Sequence, residues 1–165
     1  MQELQGEEVR LTFRVSDEQQ LIITPPAVAQ MLSFAQRRWY QPEAGGVLLG
    51  RHLLESNHLV VDEVTVPQRS DRRSRFGFFR SASHNKVAQE KWADSAGTLA
   101  YLGLWHTHPE RVPNPSQVDC EDWEKAVAHH AFVGDKLFFP IIGTERIRVW
   151  AKSRTGPIYE LAALE

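Results

Sequence analysis

His106 and His108 stand two residues apart, and Asp119 follows in Ser116-Gln117-Val118-Asp119. If the histidines end a strand, period two puts both imidazoles on one face, where they can converge on a single ion. Zinc accepts imidazole nitrogen and carboxylate oxygen at ~2.0–2.2 Å, so Asp119 is the natural third ligand. Between them lie Pro109, Pro113, Asn114 and Pro115, a stiff loop suited to bringing a helix start back beside the strand end. Three protein ligands leave a fourth position open for water, the arrangement of a catalytic zinc. A structural zinc would need a fourth side chain, and lone Cys120 cannot build a multi-cysteine site. The bland explanation is a chain with seven histidines in which Ser116-x-x-Asp119 is only a helix capping box. The order and spacing of the whole run favour the metal. A hydrolase also needs a base to deprotonate the attacking water. Glu43 is the best candidate, because it precedes Gly45-Gly46, which permit close backbone approach. By position alone it reads as an exposed helix-terminal carboxylate. Glu55, Glu63 and Glu110 are competitors that spacing does not exclude.

The elements that must position these groups follow from periodicity. Val9, Leu11, Phe13 and Val15 alternate like a half-buried strand, and Leu21-Ile22-Ile23 is a second apolar run. Pro25 and Pro26 suit a helix start. Val28, Met31, Leu32, Ala35 and Trp39 keep helical spacing until Gly45-Gly46 breaks the helix ahead of a strand at Val47 to Gly50. Strands are expected at His58 to Val66, Leu99 to His106, Lys136 to Ile142 and Arg146 to Trp150. Helices are expected at Ser83 to Asp94, with Val87 and Trp92 inward, and at Ser116 to Ala128. The mixture is an α/β or α+β fold, a central sheet flanked by helices, in a single domain over residues 1–165. Trp39, Trp92, Trp105, Trp123 and Trp150 read as core or partly buried packing.

Bulk properties narrow the function. The net charge is −2 with pI about 6.4, which gives no general pull towards nucleic acid or anionic membrane. No apolar stretch approaches the ~20 residues of a membrane span. Met1 to Glu8 is polar and acidic, unlike a signal peptide. One cysteine excludes an intrachain disulfide and fits a reducing cytoplasm.

The run His106-Thr107-His108-Pro109 followed by Ser116-Gln117-Val118-Asp119 resembles the JAMM signature of the JAB/MPN metallo-isopeptidases. Upstream, Glu43-Ala44-Gly45-Gly46-Val47-Leu48-Leu49-Gly50 is similar to that family's glutamate-bearing strand segment. The resemblance covers about Pro25 to Ile142. It implies a cytidine-deaminase-like JAB/MPN fold with a central mixed β-sheet, and cleavage of peptide or isopeptide bonds after the C-terminus of ubiquitin-like proteins. It also implies one Zn2+ per chain on His106, His108 and Asp119, Glu43 as general base, and Ser116 as an oxyanion-stabilising hydroxyl. No motif position is missing, which argues against a non-catalytic scaffold. Compactness makes the chain look like the prokaryotic stand-alone type, and within it the deconjugating protease of CBASS anti-phage operons. There the JAMM protein removes a cGAS-like nucleotidyltransferase from its conjugates. Trimming the C-terminal extension of a sulfur-carrier protein is the alternative substrate. A zinc deaminase is excluded, since the chain has a single cysteine and no Pro-Cys-x-x-Cys.

Gln68 to Arg80 is rich in arginine and phenylalanine. A solvated loop is the ordinary outcome for such a charge run, and nucleic-acid binding is disfavoured in a slightly acidic chain. An extended substrate tail added as a strand beside this segment suits an isopeptidase better. Arg72, Arg73, Phe76 and Phe78 are then the expected tail contacts.

Overall fold

A computed structural model of the chain describes residues 9–164. The acidic stretch 1–8, read above as no signal peptide, lies outside the described residues. Nine strands form one mixed sheet in the order β10-β9-β8-β7-β3-β4-β2-β1-β11. Its centre is β3 (Gly45–His52), β4 (Leu59–Val64), β7 (Ala100–Thr107) and β8 (Lys136–Ile142). On one side β2 (Gln20–Ile23) pairs parallel to β4, followed by β1 (Leu11–Arg14) and β11 (Ala162–Leu164). On the other, β9 (Ile147–Ser153) and β10 (Tyr159–Glu160) extend the sheet beyond β8. A two-stranded hairpin, β5 (Arg72–Ser74) with β6 (Gly77–Phe79), stands apart. The α+β class and the central mixed sheet expected from the sequence are both present.

Each sheet face buries its own core. Helix α1 (Pro25–Leu32) contributes Ala27, Val28 and Met31 to a cluster with Leu48, Val61, Leu102 and Trp105. Helix α3 (Gln117–His129) seats Trp123, Ala126 and Val127 against Val47, Leu104, Leu137 and Phe139 on the opposite face. Trp123 stacks on Phe139, with centroids 4.8 Å apart and planes 16° from parallel, a geometry that adds to the area buried. Helix α2 (Ser83–Asp94) lies beside β7 and β3.

The phase of β7 decides which face receives the histidines. Gly103 has φ of 149°, and a Cβ there would come 1.8 Å from the Phe138 carbonyl oxygen. The register between β3 and β7 shifts at Leu48/Leu49, beside it. This irregularity resets the alternation. Leu102 and Trp105 both join the α1 core, while Leu104 joins the α3 core. His106 consequently lies on the α3 side, its ring 6.4 Å from that of Trp123.

Three expectations need correction. The first helix stops at Leu32 rather than running towards Gly45-Gly46, which instead open β3. The Ser33 N–H turns back to the Ala29 and Met31 carbonyls, and two tight turns to Met31 and Leu32 carry the chain off the helical path. Ala35 stays buried, but Trp39 ends 80% exposed. Trp92 is likewise outward at 53%, because α2 buries His84 instead, while Val87 is half-buried. Trp105, Trp123 and Trp150 are core residues as expected.

Candidate active site

Strand β7 delivers His106 at its end, paired with Gly45 of β3 and Ile141 of β8. His106 Nε2 faces His108 Nε2 at 3.0 Å. Asp119 places Oδ1 3.2 Å from His106 Nε2 and Oδ2 3.1 Å from His108 Nε2. Among the described residues this is the group whose donors converge tightly enough to hold a metal ion. Ligands ~2.0 Å from a tetrahedral ion stand about 3.3 Å apart, so these separations fit. Two imidazoles and a carboxylate also suit zinc by chemistry.

The helix start positions Asp119. Ser116 is the N-cap of α3, and its Oγ accepts the Asp119 N–H at 3.1 Å. The Ser116 N–H donates to Asp119 Oδ2 at 2.8 Å, completing a capping box. The capping role of Ser116 is therefore realised. It uses the oxygen as acceptor and leaves the hydroxyl hydrogen free to donate. The proline loop is held from below, where Arg148 Nη1 donates to the Pro113 carbonyl at 2.8 Å and to Asn114 Oδ1 at 2.6 Å.

Charge sharpens the ligand set. Burial lowers the pKa of His106 despite Asp119 beside it. Burial also works against a charged His108, but the hydrogen bond and charge of Asp119, with Glu110 and Glu43, hold it up to about 9. Burial opposes ionisation of Asp119 as well. Its bonds to both histidines and to the Ser116 N–H outweigh this and keep it well below the usual carboxylate range.

Glu43 is not an exposed helix-terminal carboxylate. It is 7% exposed, and burial pushes its pKa up to about 7, with His108 opposing and Asp119 and Glu110 adding. A carboxylate poised near neutrality can take a proton and give it back. Its competitors have other roles. Glu63 pairs with Lys91 and Glu55 is exposed. Glu110 accepts from His108 Nδ1 at 2.9 Å, which turns Nε2 towards the ligand cluster. Sequence reasoning missed this orienting role, although Glu110 sits two residues after His108. Such partners fix ring orientation and raise ligand basicity. Glu110→Ala should weaken zinc affinity about 10–100-fold in a chelator competition titration; an unchanged affinity would remove the role.

The expected tail contacts lie on the hairpin. Arg72 and Arg73 are exposed on β5. Phe76 is 78% exposed at the turn. Phe78 is half-buried, close enough that a Cβ on Gly45 would meet its ring at 2.8 Å. Cys120 carries a thiol that burial and the nearby Asp119 charge push up, which suits packing rather than nucleophilic attack.

The family model for prokaryotic homologs of the JAB domain matches residues 25–152. The chain belongs to this prokaryotic JAB family. Three relatives carry the name CD-NTase/cGAS isopeptidase. The one from Vibrio cholerae serotype O1 (strain ATCC 39315 / El Tor Inaba N16961) is 36% identical over 148 residues, covering 89% of this chain and 91% of the relative. The one from Escherichia coli (strain TW11681) is 32% identical, covering 86% and 88%. The one from Pseudomonas aeruginosa (strain BWHPSA011 / Pa011) is 42% identical over 87 residues, so the match spans 52% of this chain and about half, 54%, of that relative. The solution structure of a Desulfitobacterium hafniense protein superposes with TM-score 0.59 at 21% identity, over 85% of this chain and 88% of that one. It supports the JAB fold alone.

Proposed function

We propose that this protein is a zinc-dependent isopeptidase acting in the cytoplasm on a protein joined to its target through an extended C-terminal tail. The substrate class is the conjugate of a cGAS-like nucleotidyltransferase in CBASS anti-phage defence, as the names of the relatives suggest. The observation that carries the reading is the convergence of His106, His108 and Asp119 in a chain that also buries Glu43.

His106, His108 and Asp119 would hold the ion, with Glu110 orienting His108. When bound, zinc supplies Lewis acidity for the scissile carbonyl and lowers the pKa of water. Ionised Glu43 takes the proton of the attacking water and passes it to the departing amine, a lysine side chain in an isopeptide. The Ser116 hydroxyl, with its hydrogen left free by the cap, donates where negative charge develops on the carbonyl oxygen. The tail lies along the hairpin against Arg72, Phe76 and Phe78, while Arg73, expected to share that contact, has its guanidinium engaged on the Glu43 carbonyl instead.

The test is cleavage of a nucleotidyltransferase fusion whose tail is followed by a peptide or linked to lysine. Zinc-loaded protein should cleave it, chelated protein should not, and added zinc should restore cleavage. Arg72→Glu combined with Phe76→Ala should raise KM more than it lowers kcat; an unchanged KM would remove the tail contact. Bound zinc without cleavage of any tail would leave a scaffold. Cleavage confined to sulfur-carrier tails would change the substrate.

A further inference from the structure

Beside the hairpin lies a second buried polar cluster, separate from the ligands. The Asp71 and His84 side chains are 0% and 1% exposed. His84 Nε2 lies 2.7 Å from Asp71 Oδ2, and its Nδ1 lies 2.7 Å from Thr65 Oγ1. Thr65 Oγ1 in turn accepts the Val47 N–H of β3 at 2.7 Å. The Asp71 carboxylate also accepts the N–H groups of Gln68 and Ser81, at 2.7 and 2.8 Å. A threonine, a histidine and an aspartate in this order have the residue types of a nucleophilic triad. Thr65 is only 6% exposed and is already bonded to β3, so no substrate reaches it. The cluster is a latch. Asp71 ties together the two ends of the segment that carries β5 and β6, and His84 fixes Asp71 to the end of β4.

What the latched hairpin grips is the main chain of Glu43. The Glu43 N–H donates to the Ser74 carbonyl at 2.8 Å, and Arg73 Nε donates to the Glu43 carbonyl at 2.8 Å. The next residue is held from the other side. The Ala44 N–H donates to Thr107 Oγ1 and the Thr107 N–H donates to the Ala44 carbonyl, both at 2.9 Å. Thr107 stands between His106 and His108. Glu43 and Ala44 therefore bridge the hairpin and the ligand strand, and the hairpin sets where the carboxylate stands relative to the metal. The Phe78 ring fills the space beneath, edge-on to His84 at 6.3 Å.

We propose that Arg73 and His84 are positioning residues for Glu43, Arg73 by holding its carbonyl and His84 by latching the hairpin that carries Arg73 and Ser74. The proposal rests on the reading of Glu43 as the base, and its test has one arm that needs no catalysis. Arg73→Ala should lower kcat about tenfold, in line with the cost of a small misplacement of a catalytic group. KM and zinc content should not change. Arg73→Lys, which keeps a donor on a flexible stem, should recover part of the loss, and Arg69→Ala should match wild type and so exclude a simple charge effect. Amide hydrogen exchange on zinc-free protein gives the independent arm. The Glu43 amide should be protected in wild type and should exchange at least several-fold faster in Arg73→Ala. His84→Gln should have the same effect, and it keeps polar atoms in the cavity should His84→Ala fail to fold. A raised KM with unchanged kcat in Arg73→Ala, or an unaltered Glu43 amide in both variants, would overturn the proposal. Faster exchange in a protein that cleaves nothing would keep the latch and discard the isopeptidase reading.

Discussion

Glu43→Ala should keep its zinc and lower kcat by about 10²–10⁴-fold, the span that a positioned general base supplies. The carboxylate is excluded from the ligand set by geometry, since the converging donors are those of His106, His108 and Asp119. Removing it leaves those donors in place. It also leaves the backbone grip untouched, because that grip uses the main chain of residue 43. Cleavage assays paired with metal analysis separate the two effects, and near-full activity in Glu43→Ala would show that the base lies elsewhere. The pH profile gives a second check. Only ionised Glu43 can accept a proton, and burial raises its pKa to about 7 in the metal-free site. Positive charge opposes that rise, as His108 does, so a bound cation places the acid limb at or below about 7. Beneath the limb kcat/KM should fall tenfold per pH unit. Glu43→Gln should lose that limb along with most of the rate.

The candidate ligands, which the structure brings together, were legible because a metal-binding pattern leaves a local trace. His-x-His at a strand end and Ser-x-x-Asp at a helix start each encode a backbone geometry, and the capping box that offered a bland explanation of Ser116 is the device that aims Asp119. The burial of Glu43 was not legible. Its main chain is held by Arg73 and Ser74, distant in sequence, and no local period reports such a contact. The same limit explains Trp39 and Trp92. Their spacing matched an inward helical stripe, but one helix ends first at Leu32 and the other buries His84 instead. The edge strands β10 and β11, of two and three residues, are too short to show alternation. Hairpin β5–β6 was hidden for another reason. Its arginines look like a solvated run until Arg73 is seen on the Glu43 carbonyl.

Zinc affinity should rise steeply with pH, and the sign follows from which ligand carries a proton when metal is absent. His106 is disposed to be neutral by burial and Asp119 is held ionised. His108 alone is held protonated, up to about 9. Zinc must displace that proton, since a ligating imidazole nitrogen is neutral. Binding at pH 7 should therefore release about one proton, and the apparent affinity should improve about tenfold per unit up to pH 9 before levelling. Zinc titrations in buffers of different ionisation enthalpy measure both quantities. A pH-independent affinity between 6 and 8 would mean that the pair formed by His108 and Asp119 is not what the ion replaces. The metal-free fold carries the same signature. A histidine whose folded pKa is raised from 6.5 to about 9 contributes stability that is fully present below 6.5 and lost as pH rises through 9. The melting temperature of chelated protein should therefore decline across that window, while zinc-loaded protein, with the proton already displaced, should not share the decline. His106→Ala should abolish binding at every pH, because two remaining donors no longer enclose the ion. Asp119→Asn removes the partner that keeps His108 charged, so whatever weak binding survives should show a flatter pH dependence.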